Sequence, residues 1–407
     1  MKMFFRVPFW LSLVLAAAPL SAKTFLVIPL FNLSGSQNLD WIGESVAETV
    51  LSAAGSGTAV VLDRDDREEA YRKLGLRPGA QLTLASVIKL GQTLGADRVF
   101  FGTFRVTPPA PELTVAGQPA EPKNRPRGTL TLSARMLDLA AMHEGSQFSE
   151  VGPLEDLGVM QQKLAWRALK VLDPALAGEQ DTFLKDHPRV RVDAIESYIR
   201  GLLARTPSEQ EKLFERSASL DPAFAQPAFE LGRMYWNRQQ FSLAAQWLAK
   251  VPASAAHGHE ARFLLGLSRY EMGDAAGAQR ALTDVTSAVP LGDAFNDLGA
   301  AQLLAGDAEK AVASFAQAMK DDPSDPVYQF NTGYALYKKG DCSGATPHLE
   351  SVLKRDSSDK DAAMLLDRCR SGAGPAGVNT GNLARIKTNF EESAYRQLQD
   401  VFQTKRK

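Results

Sequence analysis

The sequence predicts an α+β chain in two domains: an N-terminal α/β sandwich-like unit, then an all-α solenoid of helical repeats. Two observations predict it. The first half alternates apolar strand-like runs with amphipathic helical stretches. The second half repeats a bulky residue or Thr followed by Gly: Leu231-Gly232, Leu265-Gly266, Leu298-Gly299 and Thr332-Gly333. These glycines lie 34, 33 and 34 residues apart, and a period near that length marks stacked helix–turn–helix units. The length of 407 residues exceeds what one core usually serves. A 44% hydrophobic and 23% charged content is that of an ordinary globular protein. The formal net charge of −1 gives no electrostatic case for nucleic acid.

Residues 1–22 read as a secretory signal peptide. Lys2 and Arg6 give a basic start, an apolar run follows from Val7 to Leu20, and Ser21-Ala22 supplies the small-residue end. Cleavage is expected after Ala22. The apolar run is shorter than the roughly 20 residues a membrane span requires, and no later segment reads as transmembrane.

The α/β unit is expected over 23–174. Residues 24–31 (TFLVIPLF) form a buried-strand pattern. Residues 38–54 read as a helix with Ile42, Val46 and Val50 on one face. Strands follow at 58–62, 98–106 and 128–139, with an added edge strand at 143–150. Helices are expected at 65–74, 83–94 and 153–172. Residues 107–127 carry six prolines without apolar periodicity, which suits a long hairpin tip. Residues 175–191 read as a polar linker.

Val27-Ile28-Pro29-Leu30-Phe31-Asn32-Leu33-Ser34-Gly35, followed by Trp41 to Val46, resembles the opening of the TolB-type N-terminal domain. So does the later Leu94-Gly95-Ala96-Asp97 before a strand. The curli-secretion (CsgG-like) and flagellar outer-membrane (FlgO-like) proteins share a similar pattern, so the resemblance does not separate these families. It implies an α/β fold and a place in a bacterial envelope.

The repeats span 192–371 with a closing helix at 359–370. Beyond the recurring glycines, Gly273-Asp274, Gly306-Asp307 and Gly340-Asp341 supply turns within units. Ala244, Ala278, Ala311 and Ala345 are the small residues of the second helices. An irregular earlier unit runs from Ala194 to Asp221-Pro222 with a shortened turn. This pattern resembles the tetratricopeptide repeat family, in which the first helix of each unit lines a concave groove. The resemblance places Phe229, Arg233, Trp236, Asn237, Phe263, Tyr270, Asn296, Phe330, Tyr334, Tyr337 and Lys338 on that groove. Groove exposure is favoured over burial for Trp236 and Tyr337, while Phe229 and Phe263 fit either place. The surface is aromatic and lightly charged, which suits an apolar or extended peptide segment, or a helix.

A Gly-rich linker at 372–381 leads to an expected amphipathic helix over 382–407, striped by Leu383, Ile386, Phe390, Leu398 and Phe402. It could occlude the groove or offer its face to a partner. An exported chain with two cysteines suggests a disulfide between Cys342 and Cys369, at the same end of adjacent helices.

No catalytic constellation is visible. His257-Gly258-His259-Glu260 has no further ligand and reads as a solvated loop. Asp63, Asp65 and Asp66 lack the glycine and glutamate of a calcium loop. No metal, cofactor or catalytic residue is therefore assigned. The expectation is a non-enzymatic scaffold or adaptor, exported to the periplasm or envelope, that binds a protein or peptide partner or its own C-terminal helix. The alternatives are an oligomeric component of an envelope secretion or surface-structure assembly, and an enzyme with an unrecognised site in the α/β domain.

Overall fold

The computed structural model describes residues 24–55, 57, 59–109, 128–145, 147–373, 375, 382–392 and 395–396. The expected signal peptide, the tip of the proline-rich loop, and Leu398 and Phe402 of the C-terminal stripe lie outside them.

The N-terminal unit is built on β1 (Thr24–Val27), β2 (Phe31–Asn32), β3 (Val60–Val61), β4 (Arg98–Thr107), β5 (Thr129–Asp138), β6 (His143–Glu144) and β7 (Phe148–Pro153). Its helices are α1 (Trp41–Gly55), α2 (Arg64–Leu74), α3 (Leu84–Thr93) and α4 (Leu157–Leu172). The sheet order is β3-β1-β4-β5-β6, with β2 on β4 and β7 on β5. Strand β1 pairs in parallel with β3 and β4, β2 pairs in parallel with β4, and β4 and β5 form a long antiparallel pair.

Alternation along the strands separates two apolar layers. Phe25, Val27, Phe100, Phe104, Leu130 and Leu132 join the core with α1 and α4. Leu26, Ile28, Val99 and Leu137 join Ala70, Tyr71, Val87 and Leu90 of α2 and α3. Helices thus cover both faces of the sheet. The single strand expected at 24–31 is two strands, because Pro29 has no N–H to give a ladder.

The turn into α1 explains the Asn32-Leu33-Ser34-Gly35 run. Asn32 Nδ2 donates to Ser36 O at 2.8 Å and to Asp40 Oδ1 at 2.7 Å, while its Oδ1 accepts from Ser34 N at 2.8 Å. Inside the unit, Arg67 is fully buried and paired with Glu44.

Two short helices, α5 (Pro174–Ala177) and α6 (Gln180–Asp186), occupy most of the expected 175–191 linker. Asp173 caps α5 by accepting from Leu176 N at 3.0 Å. Phe183 is buried and stacks on His187 at 4.1 Å. Helices this short carry no readable periodicity, so the segment looked merely polar.

The repeats are antiparallel helix pairs: α7 (Val192–Leu203) with α8 (Pro207–Leu220), α9 (Ala225–Asn237) with α10 (Phe241–Leu248), and α11 (Gly258–Glu271) with α12 (Ala275–Ala288). They continue as α13 (Gly292–Leu304) with α14 (Ala308–Asp321) and α15 (Pro326–Lys339) with α16 (Cys342–Arg355), closed by α17 (Lys360–Arg370). The recurring glycines mark close helix approaches. A Cβ on Gly232, Gly266, Gly299 or Gly333 would stand 2.5, 2.7, 2.6 or 2.9 Å from Leu248, Leu282, Phe315 or Leu349. Each partner lies sixteen residues after its glycine. In the irregular first unit, Gly201 meets Phe214 at 2.5 Å after only thirteen. The Gly-Asp turns divide their work: Gly273, Gly306 and Gly340 take φ of 76°, 83° and 87°, and the following aspartates cap α12, α14 and α16.

The core does not break at the expected domain boundary. One apolar cluster runs from Phe25 in β1 to Ala301 in α13. Arg64 donates to Leu202 O at 2.7 Å, and Arg200 to Asn38 O at 2.8 Å, tying the unit to the first repeat. A second cluster holds Phe315, Phe330, Tyr334, Tyr337, Leu349 and the closing helix.

The C-terminal segment departs from expectation. Residues 382–391 form no helix. They lie extended, with Leu383 and Ala384 packed on the second cluster, and Ala384, Ile386 and Phe390 on the first.

Candidate functional site

The groove is formed by α11, α13 and α15, and the chain's own residues 382–392 occupy it. The segment passes along α11 from Tyr270 near its end, through Phe263, to His259 near its start. An extended peptide exposes its own amides and carbonyls, and the groove supplies partners for them. Asn331 donates to Arg385 O at 2.7 Å and accepts from Arg385 N at 2.8 Å. Asn296 donates to the same carbonyl at 2.9 Å, and Asp297 Oδ1 accepts from Lys387 N at 2.9 Å. Tyr270 Oη donates to Ala384 O at 3.2 Å and accepts from Asn382 Nδ2 at 2.6 Å.

Side chains are held separately. Lys387 Nζ lies 2.7 Å from Asp325 and 3.7 Å from Asp293. Burial alone would lower its pKa, but Asp325 and Asp293 outweigh that and hold it above the usual lysine value. Arg385 pairs with Asp359 at 2.8 Å, and its guanidinium lies 3.5 Å from the Phe330 ring centroid. Phe390 stacks on Phe263 at 5.1 Å. Beyond the extended stretch, Glu392 meets His259 at 2.8 Å, and Arg396 donates to Gly55 O of α1 at 3.1 Å.

Asp297 is fully buried, and burial pushes its pKa well above the usual carboxylate value. Its Oδ2 makes no hydrogen bond among the described residues.

Of the groove residues expected from sequence, Phe263, Tyr270, Asn296 and Phe330 touch the tail. None of Phe229, Arg233, Trp236 and Asn237 hydrogen-bonds to or stacks on its described residues. Phe229 is buried against His257 at 4.4 Å, Trp236 is half-buried beside Phe241 at 5.1 Å, and Arg233 and Asn237 are exposed. Tyr334 is buried and stacks on Phe330. Tyr337, expected on the groove, is instead core: it is fully buried and its hydroxyl accepts from Arg368 Nε of α17 at 2.6 Å. The closing helix covers it, a contact that one repeat considered alone does not reveal. Lys338 is exposed.

Sequence reasoning missed Asp293, Asp297, Asp325, Asn331 and Asp359. A signal for two of them was present. Asp297 and Asn331 each stand two residues before a repeat glycine, and both accept a tail amide. Asp325 and Asp359 also cap α15 and α17, so their capping role masked their use by the tail.

The expected disulfide is not formed. Cys342 and Cys369 are half-buried free thiols. Burial, then a hydrogen bond with Cys342, raises the Cys369 pKa. The expected His257–Glu260 loop is instead the start of α11, with His257 at its cap. Among the described residues, no group of three or more His, Cys, Asp or Glu side chains is placed to hold a metal ion. No described helix is long and apolar enough to cross a membrane. A cavity of about 250 Å³ in the α/β unit is lined by Ile28, Phe31, Leu82, Phe101, Ser133 and Arg135 among others. Of its lining residues only Arg135 ionises, and it is paired with Glu144 at 2.6 Å.

Residues 263–326, from within α11 to the start of α15, match the tetratricopeptide repeat family. No curated protein matches the chain. Among solved structures, MamA (residues 41 to the end) from Desulfovibrio magneticus RS-1 is 22% identical, with a TM-score of 0.36, covering 40% of this chain and 92% of its own. YrrB, described as a TPR protein with an unusual peptide-binding site, is 17% identical with a TM-score of 0.39, covering 44% of this chain and 92% of its own.

Proposed function

We propose that this protein is an exported, non-enzymatic adaptor of the bacterial cell envelope that holds an extended segment of a partner protein in its repeat groove. One observation carries the proposal: the groove already holds an extended segment, through Asn296, Asp297 and Asn331 gripping main-chain atoms of Arg385 and Lys387. Main-chain contacts of this kind do not depend on the bound side chains, so the same grip serves a segment from another chain. The tetratricopeptide repeats at 263–326 support an interaction role. The signal-like start and the TolB-like pattern of 23–174 support the envelope placement.

Two experiments test the two parts. Crosslinked capture from periplasmic extract should recover a partner with a chain whose tail is released by Arg385→Glu and Lys387→Glu. The same chain carrying Asn296→Ala and Asn331→Ala should lose it. Equal recovery by both chains would remove the groove from the account. N-terminal sequencing of the protein from whole cells should begin at Lys23, and a chain retaining residues 1–22 would contradict export by cleavage.

A further inference from the structure

We propose that the groove selects partner segments of one chemistry, basic-x-basic-x-x-aromatic, and that the C-terminal tail is a resident copy of that ligand which a partner must displace. The proposal rests on the groove being a protein-binding surface and adds what that surface recognises.

The register is set by the main chain. Asn331 takes both the N–H and the C=O of Arg385, and Asp297 takes the N–H of Lys387. In an extended chain the amides of residues two apart face the same way, so these contacts fix which tail residue meets which groove residue. Three side-chain sites follow from that register. Asp359 and the Phe330 ring receive a guanidinium at the first position. Asp325 and Asp293 receive an ammonium at the third, with the Tyr328 ring 5.2 Å away. The Phe263 ring receives an aromatic at the sixth. Two acidic sites closing around like-charged side chains disfavour an acidic segment as strongly as they favour a basic one.

The tail fits all three sites and is joined to α17 by only residues 371–381. A short covalent connection gives an effective concentration on the order of millimolar. A free segment of equal intrinsic affinity therefore binds weakly until the tail leaves. A partner gains the groove by matching the tail's chemistry and by contacts outside it.

The test uses the full chain and a fluorescent peptide copying residues 381–392, read by anisotropy, with circular dichroism to check that each variant is folded. Releasing the tail by Arg385→Glu and Lys387→Glu should tighten peptide binding at least about tenfold over wild type. Adding Asn331→Ala to the released chain should abolish the gain. A peptide with glutamate in place of both basic residues should bind the released chain at least about tenfold more weakly than the native peptide. Equal binding of the two peptides would overturn the selectivity while leaving the groove a peptide-binding surface. No gain on tail release would overturn the resident-ligand role. If the released chain binds neither peptide yet captures a groove-dependent partner from extract, the selectivity falls and the adaptor role stands; if it does neither, both fall.

Discussion

Asn331 joins the two chains of contact in the groove: it holds Arg385 by both peptide atoms and also donates to Asn296 Oδ1 at 2.8 Å. Removing it leaves buried polar atoms unpaired, which costs about 1–3 kcal/mol. Asn331→Ala should therefore raise the rate of trypsin cleavage after Arg385 and Lys387 by about tenfold or more, since about 1.4 kcal/mol is tenfold. An unchanged rate would mean that Asn331 does not hold the tail. A second residue links the molecule to pH. Burial, then the charge of Glu44, raises the Glu48 pKa from 4.5 to about 7. The folded state then binds this proton more tightly than the unfolded chain, so the stability it contributes is present below about pH 4.5 and lost as pH rises to about 7. In urea unfolding, Glu48→Gln should narrow the difference in stability between pH 5 and pH 8; an unchanged difference would place the titration elsewhere. At this scale the sequence was partly legible. The position three before each repeat glycine holds Phe229, Phe263, Asn296 and Phe330, and its aromatics mark a groove-facing row. The position two before holds Glu230, Leu264, Asp297 and Asn331, and this mixed chemistry masks the amide-accepting role that Asp297 and Asn331 share.

The helix pair is the unit in which the 34-residue period becomes a packing rule. Gly266→Val would place a β-carbon 2.7 Å from Leu282 Cγ and add two methyl groups there. Overpacking of this kind costs about 1–3 kcal/mol, and the midpoint of chemical denaturation should fall accordingly. A midpoint equal to wild type would mean that the helices have room to part. The cysteine pair is a second test at the level of elements. Because burial raises the Cys369 pKa, its alkylation at neutral pH should be slower than that of an exposed thiol, and a rate equal to one would contradict the burial. Helix periods, glycine contacts and caps were legible because each repeats within one unit. The tail was not. Leu383, Ile386 and Phe390 have helical spacing, but extended backbone lets Asn331 and Asp297 take tail amides that a helix would consume. The groove, remote in sequence, decides the tail's conformation.

Across the whole molecule, the α/β unit and the repeats share a core that sequence divided in two. Cluster membership from Phe25 to Ala301, with Arg64 and Arg200 bridging α2, the turn before α1, and α7, makes the first repeats an extension of the unit. The division looked natural because strand patterns stop where helical repeats begin. The folded 175–191 segment has too short a pattern to show continuity. The tail then spans both apolar clusters and reaches back to α1 through Arg396, so groove occupancy is connected to the N-terminal unit by direct contact. The groove holds the chain's own extended tail by its main chain. Site-resolved amide hydrogen exchange measures this most directly. The amides of Arg385 and Lys387 should be protected in the wild-type chain and lose protection in Asn331→Ala, while the helix amides of α13 and α15 keep theirs. Exchange of those two amides at unstructured-chain rates in the wild type would contradict it.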